Sequence, residues 1–281
     1  VLPLVGIFGD NRSAGFSFMG AVLGLLMALS TLVTFLAVKE PDHSQAPKPT
    51  EKFFPTFLAV FRNKPYVIVL ATYALNLTAL NFVQGILVYY FKYIYRNEAL
   101  TTLAMILLLV TAMLCIPISV LVSKHIGKKR CYQICFAVLA SACLIIYFLG
   151  HRLGSGFFLA MMVYAGIGVG FGYVAPWAMV PDAIEVDAVR SGNRKEGAFY
   201  GMWTFTSKVG TSLAIALTGL ILGAGGYAAN LVEQSQGALE AIRLIIGPIP
   251  AAIFIAAMLL IERYPIDEAA YNAIVGAKAS K

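Results

Sequence analysis

The sequence predicts an all-α, polytopic membrane protein, and three observations support this fold class. Hydrophobic residues make up 59% of the 281 residues and charged residues only 12%, and the mean hydropathy is +0.80. Several uninterrupted apolar stretches of about 20 residues are each long enough to cross a membrane as a helix. These stretches lack the alternation of apolar and polar residues that is typical of transmembrane strands. An ordinary soluble domain is therefore excluded.

The apolar stretches predict seven membrane-spanning helices. They cover residues 16–38, 66–95, 100–122, 131–150, 157–180, 199–222 and 238–261. The segment 39–64 is rich in proline and charge, which is typical of a flexible linker, and it separates the first helix from the other six. Pro117 interrupts the third helix, and Pro248 with Pro250 breaks the seventh.

Lysine and arginine residues predict the orientation of these helices. They are concentrated in segments 39–64, 123–130 and 181–197 and in the C-terminal tail, whereas the alternate loops hold few. By the positive-inside rule the first set is cytoplasmic, so we expect the C-terminus inside the cell and the protein in the cell (inner) membrane. The net charge of +7 thus reflects membrane topology, and no nucleic-acid partner is expected.

The side-chain pattern indicates neither an enzyme nor a resident metal. Cys131 and Cys135 share a helix face, but no histidine or acid completes a set of metal ligands, so we interpret them as packing residues. Alternate glycines occupy the fifth predicted helix at Gly166, Gly168, Gly170 and Gly172. Since no strand precedes them, we expect close helix packing or a bend near the site and not nucleotide binding. No nucleophile–base pair is recognisable, and no cofactor is expected.

A lone lysine, Lys208, lies in the sixth predicted helix. At 1.5 Å per residue it is roughly 14 Å from the helix start, close to mid-membrane. An ammonium group at that depth costs about 2.5 to 3.5 kcal/mol, so such residues face a wet cavity or an anionic partner. The residues that share its helix face are Tyr200, Thr204, Thr211 and Ser212. Lys208 is therefore either the partner of an acid on a neighbouring helix or part of a substrate or ion pathway.

Polar side chains also line one face of the second predicted helix. Within an arc of roughly 140° on a helical wheel lie Tyr73, Asn76, Asn81 and Gln84. This face either meets water and a polar ligand or forms hydrogen bonds to another helix.

Four motifs in the second half of the chain carry a family resemblance. They are Pro181-Asp-Ala-Ile-Glu-Val-Asp187, Arg190-Ser-Gly-Asn-Arg-Lys-Glu-Gly197, Lys208-Val-Gly210 and Gly226-Tyr227. Together they resemble the signature of the glycoside-pentoside-hexuronide:cation symporters, a family of the major facilitator superfamily that includes melibiose permease-like transporters. The resemblance covers essentially the whole chain, and residues 182–210 are its most specific part.

The resemblance implies a major facilitator fold, with two six-helix halves around a central cavity. Residues 1–38 would then be the last helix of the N-terminal half, 39–64 the central cytoplasmic loop, 65–264 the C-terminal six-helix half and 265–281 a cytoplasmic tail. The chain opens on Val1 and not on Met, so we expect a fragment. The acidic cation ligands of the family would lie in the N-terminal half of the same transporter, which is an expected partner.

The resemblance also implies a substrate site. Lys208 corresponds to the family's helix-eleven lysine, near the substrate and cation sites, and Thr204 to a threonine at the sugar site. Trp203 stands where melibiose permease has a glutamine, so galactoside specificity is not implied. Tyr173 occupies the position of a tryptophan that stacks on sugar. The predicted substrate-binding residues are Lys208, Thr204, Trp203, Tyr173, Trp177, Tyr200, Asn76, Asn81 and Gln84.

The charged block after the fifth helix suggests a cytoplasmic gate. Alternating access requires contacts that hold one side shut and release when the two halves rock. Exposed ion pairs contribute only about 0 to 1 kcal/mol each, but a network that forms in one state can bias an equilibrium of a few kcal/mol. The predicted gate residues are Asp182, Glu185, Asp187, Arg190, Arg194 and Glu196. The alternative is a solvated loop that only sets topology.

We therefore expect a secondary transporter that moves a sugar, glycoside or hexuronide together with Na⁺ or H⁺, and Lys208 would suit a carboxylated substrate. Its expected partners are this small molecule, the coupling cation and the lipid bilayer. Two alternatives remain open. One is a lysophospholipid:cation symporter, which belongs to a related branch, and the other is a truncated remnant that transports nothing.

Overall fold

The computed structural model of the protein describes residues 12–38, 57–58, 60–192, 195–229, 231–266, 271 and 274. It contains two compact units, residues 1–50 and residues 51–281. Across the described residues every regular segment is helical, which confirms the predicted all-α fold. The boundaries predicted for the linker and the tail fall largely outside the described residues and stay predictions.

The helices are numbered here in chain order. The first unit holds α1, which is Arg12–Ala37. The helices of the second unit are α2 (Lys64–Tyr89), α3 (Leu100–Ile126), α4 (Lys128–Ile145), α5 (His151–Ser191), α6 (Glu196–Ala224), α7 (Gln236–Ile246) and α8 (Pro248–Ile261). Two π-helical turns, Tyr90–Ile94 and Ile146–Gly150, continue α2 and α4.

Within the described residues, six helical segments are long and apolar enough to cross a membrane. One of them, Lys128–Val189, has 62 residues and would be about 93 Å long if straight, about three times the hydrocarbon core. Gly154 interrupts it, with φ of 80° and ψ of 179°. On either side of this break α4 and α5 run antiparallel, since Ser141 bonds Tyr164 while Lys128 contacts the far end of α5. The segment therefore makes two crossings, and the described helices account for the seven predicted ones.

Helix α5 extends beyond the length that a membrane requires. It continues through Pro181 to Ser191, so the prediction of a loop over 181–197 is wrong for the first part of that segment. Proline lacks an N–H group, but its fixed φ is compatible with a helix, and side chains of neighbouring helices hold the turns that follow. The seventh predicted helix is divided at Gly247 into α7 and α8, as its prolines predicted.

The alternate glycines of α5 allow it to pack closely against both α3 and α4. A Cβ atom added at Gly166 would lie 2.7 Å from the Leu108 carbonyl oxygen of α3. One added at Gly168 would lie 2.9 Å from Leu139 of α4. One turn later, Gly170 approaches α3 as closely as Gly166 does. Gly172 likewise approaches α4. The expectation of close helix packing is therefore confirmed.

Helices α2 and α6 lie side by side and run parallel. Three contacts, two along the helices and one just beyond their ends, join Tyr66 to Phe199, Thr78 to Gly210 and Tyr93 to Tyr227. The first is a hydrogen bond of 2.6 Å from the Tyr66 hydroxyl to the Phe199 carbonyl oxygen. This pairing fixes which residues of α2 face the Lys208 region of α6.

Candidate functional site

Lys208 lies on an exposed face of α6. The exposed residues at intervals of four along this helix are Tyr200, Thr204, Lys208 and Ser212. Thr211, which was predicted on the same face, is half-buried because it approaches the Asn81 amide of α2, at 3.4 Å. Among the described residues, no carboxylate forms an ion pair with Lys208.

Aromatic side chains from α2, α5 and α6 meet at Trp203, five residues before Lys208. Trp203 of α6 is 3% exposed and stacks on Tyr73 of α2, with ring centroids 4.0 Å apart and planes 13° from parallel. Trp177 of α5 approaches Trp203 edge-on, with ring centroids 5.8 Å apart and ring planes at 64° to each other. Tyr173, one turn earlier on α5, is 63% exposed. The buried Trp203 and the half-buried Tyr73 thus pack behind the more exposed rings of Trp177 and Tyr173.

The polar face predicted on α2 divides between two neighbouring helices. Asn76 is 4% exposed and lies next to Tyr132 of α4. Asn81 lies toward α6, where its amide donates to the Leu77 carbonyl oxygen at 2.8 Å and approaches Thr211. Gln84 is exposed. These residues lie on one side of α2, as predicted. They do not line one common space, because neighbouring helices cover the two edges of that side.

The acidic turns at the end of α5 are held by residues of α4 and α2. Lys128 of α4 forms an ion pair with Asp182, at 2.5 Å, and also donates to the Ala178 carbonyl oxygen at 3.2 Å. The side-chain amide of Asn63 donates to the Ala183 carbonyl oxygen at 2.8 Å. The side-chain oxygen of the same amide accepts a hydrogen bond from a backbone N–H group and so caps the first turn of α2. These contacts join helices within one unit, so they brace the end of α5.

The remaining predicted gate residues have different surroundings. Glu185 is exposed and accepts a hydrogen bond from the Tyr271 hydroxyl, and this carboxylate raises the pKa of Tyr271 to about 12. Asp187 is half-buried in the last turns of α5, and Glu196 is exposed at the start of α6. Arg194 and the side chain of Arg190 lie outside the described residues, so the gate stays a prediction.

Sequence analysis missed a second charged cluster at the same end of the molecule. Lys129 of α4 contacts Glu262 after α8, at 3.1 Å to the carboxylate and 2.6 Å to the carbonyl oxygen. Gln133 donates to the other carboxylate oxygen, and these two contacts lower the pKa of Glu262. The basic segment 123–130 was visible in the sequence, although it is helical on both sides of Gly127 and is not the predicted loop. Its acidic partner lies more than 130 residues later, and no spacing rule connects them.

Within the part of the chain that the structure describes, no three His, Cys, Asp or Glu side chains come together as a group that could hold a metal ion. Cys131 and Cys135 are buried among apolar residues of α4.

Three curated proteins illustrate what the chain is similar to. A symporter of Bacillus subtilis strain 168, itself uncharacterised, is 29% identical over 265 residues, which are 93% of this chain and 56% of that protein. An isoprimeverose transporter of Lactiplantibacillus pentosus is 26% identical, over 95% of this chain and 56% of that protein. A sodium-dependent lysophosphatidylcholine symporter of Danio rerio is 23% identical, over 95% of this chain and 50% of that protein.

The family assignment rests on a match that is longer than any single motif. The chain spans about half the length of the curated relatives it matches, from 40% to 60%. The family described as MFS/sugar transport protein matches residues 1–268. This match confirms the resemblance that the motifs indicated, and the chain belongs to the MFS/sugar transport protein family.

Proposed function

We propose that the protein is a secondary transporter that moves a sugar or glycoside together with Na⁺ or H⁺ by alternating access. The observation that carries the proposal is the position of Lys208. It lies near the middle of a membrane-length helix, five residues after Trp203, and it is exposed and without an ion-pair partner among the described residues. Such a charge is costly in hydrocarbon, which favours a water-filled or ligand-filled cavity over a lipid-facing position.

The side chains around Lys208 suit a polyhydroxylated or carboxylated substrate. Lys208 offers three hydrogen-bond donors, and the Thr204 hydroxyl both donates and accepts. The ring of Trp177 offers an apolar face that is held in place by packing against Trp203, and Tyr173 adds a second exposed ring one turn earlier on α5. Polar groups beside a rigid aromatic surface are typical of small-molecule sites.

The rest of the transport machinery would lie in the N-terminal half of the transporter. The opposite wall of the cavity and the acidic ligands of the coupling cation would come from that half. The C-terminus would face the cytoplasm, with the charged end of α5 at the inner mouth. In this arrangement Asp182 and Glu185 shape the surface on which a gate can close.

Ion-driven uptake of labelled sugars into vesicles tests this function, with the full-length protein and three variants. Lys208→Ala should lower uptake about 10- to 150-fold, because a hydrogen bond to a charged group contributes about 1.5 to 3 kcal/mol. Lys208→Arg keeps the charge and should retain part of the uptake. Lys64→Ala removes an exposed lysine at the start of α2 and should have no effect. Full uptake by a folded Lys208→Ala variant would exclude Lys208 from the pathway.

A lysophospholipid is the second candidate substrate. Apolar side chains are exposed on α6 next to Lys208, among them Phe205 at 60% and Leu213 at 52%. Such a surface would suit an acyl chain while Lys208 binds the phosphate. Adding a labelled lysophospholipid to the same uptake panel separates the two substrates. Transport of the lipid with no transport of any sugar would replace the first proposal.

A further inference from the structure

A surface groove of about 560 Å³ lies where the ends of α3, α4 and α8 meet. Its floor is apolar and is formed by Ile134 and Ala137 of α4 and by Met258 and Leu259 of α8. Arg130 lies at its rim, on the same face of α4 as Ile134 and Ala137. The groove is far along the chain from Lys208 and shares no residue with the candidate substrate site.

The charge at the rim is positive. Glu262 also borders the groove, but Lys129 and Gln133 bind its two carboxylate oxygens, so its negative charge is compensated. Arg130 is exposed, and no hydrogen-bond acceptor among the described residues occupies its guanidinium group. An anion at the rim would therefore meet Arg130 with little opposition from the neighbouring acid.

In the membrane orientation proposed above, the groove would lie at the boundary between headgroups and hydrocarbon. Arg130 is in the first turn of α4, and Ala137 lies about 10 Å further along the same helix. Leu259, 64% exposed, lies in the last turn of α8. In a bilayer these apolar residues would face acyl chains, and Arg130 would lie at the interface. A soluble peptide could not reach the floor of the groove in that position.

We propose that this groove binds an anionic phospholipid of the cytoplasmic leaflet. The phosphate group accepts hydrogen bonds from Arg130, and one acyl chain lies along Ile134, Ala137 and Leu259. Basic pockets between helices on the cytoplasmic side are a known way of binding anionic headgroups, and a guanidinium group binds phosphate through two parallel hydrogen bonds. Lipid bound here would also link the start of α4 to the end of α8.

Native mass spectrometry of the full-length protein tests the site, with phosphatidylglycerol and phosphatidylcholine of identical acyl chains. The wild type should retain phosphatidylglycerol about fivefold better, which is the effect of one arginine near an anionic surface. Arg130→Gln should abolish this preference and Arg130→Lys should keep most of it. Ala137→Phe, which fills the floor, should lower the retention of both lipids.

Lys64→Gln provides the matched control, because it removes an exposed positive charge outside the groove. It should leave the preference for phosphatidylglycerol unchanged. Equal retention of the two lipids by the wild type would overturn the proposal. So would an equal loss in Lys64→Gln and Arg130→Gln, since that result indicates diffuse surface charge, or unchanged retention in Ala137→Phe. Gel-filtration profiles that match the wild type establish that each variant is folded.

Discussion

Trp203 of α6 lies flat against Tyr73 of α2, with the ring centroids 4.0 Å apart, and it is almost completely buried. Trp177 touches its edge from α5 and is 49% exposed. The two tryptophans of the chain therefore have different roles. Trp203 packs between α2 and α5, whereas about half of the Trp177 side chain is exposed.

Replacing each tryptophan by alanine should separate stability from transport. Trp203→Ala should cost about 3 to 5 kcal/mol of unfolding free energy, because it removes a large buried side chain. Trp177→Ala should cost clearly less, since half of that ring is already exposed, yet it should lower uptake per folded molecule. Thermal unfolding in detergent and vesicle uptake measure the two effects. Equal destabilisation by both changes would contradict the buried position of Trp203.

Alanine substitution in α5 should show which glycines are packed. Gly166→Ala brings a Cβ atom to 2.7 Å from both the Leu108 carbonyl oxygen and Thr111 Cβ, and overpacking of this kind costs about 1 to 3 kcal/mol. Gly156→Ala is the matched control on the same helix, because an added Cβ would meet nothing within 4 Å. It should be neutral or stabilise by up to about 1 kcal/mol. Identical melting temperatures for the two variants would argue against close packing of α3 on α5.

The contact between Lys128 and Asp182 should act as a brace. A double-mutant cycle with Asp182→Asn and Lys128→Gln should give a coupling free energy of about 1 kcal/mol in thermal unfolding, because both side chains are partly exposed. If the pair serves only as a brace, uptake per folded molecule should change little. A large change in uptake together with altered reactivity of introduced cytoplasmic cysteines would support the gate hypothesis instead.

Ionisation of Tyr271 should depend on Glu185. The hydrogen bond to this carboxylate raises the pKa of Tyr271 from 10.0 to about 12, so the neutral phenol is the stabilised form. The contact should therefore contribute its full stabilisation to the folded state below pH 10 and lose it as the pH rises toward about 12. Subtracting the ultraviolet titration of Tyr271→Phe from that of the wild type isolates this phenol among the 14 tyrosines.

Glu185→Gln provides the control for that titration. In the Glu185→Gln background the same subtraction should place the pKa of Tyr271 nearer to 10.0, because the amide carries no charge. A pKa that stays near 12 without the carboxylate would mean that another group causes the shift.

The sequence by itself determined the fold class, the family and the exposed face around Lys208. Hydrocarbon thickness sets a minimum length for a crossing, so apolar runs reveal the helices without any knowledge of their partners. The period of 3.6 residues likewise placed Thr204 and Ser212 on the face of Lys208, and both are exposed in the structure. The glycine run of α5 indicated close packing because only glycine permits backbones to approach so closely.

Only the tertiary structure decided which of the polar and aromatic residues are buried. Trp203 and Thr204 are neighbours in sequence, yet the first is buried and the second exposed, because α2 covers one side of α6. Asn63 and Lys128 hold the end of α5 partly through backbone carbonyl groups, which every residue has and no sequence motif distinguishes. Periodicity states which residues share a helix face, and the packing of the other helices decides what that face meets.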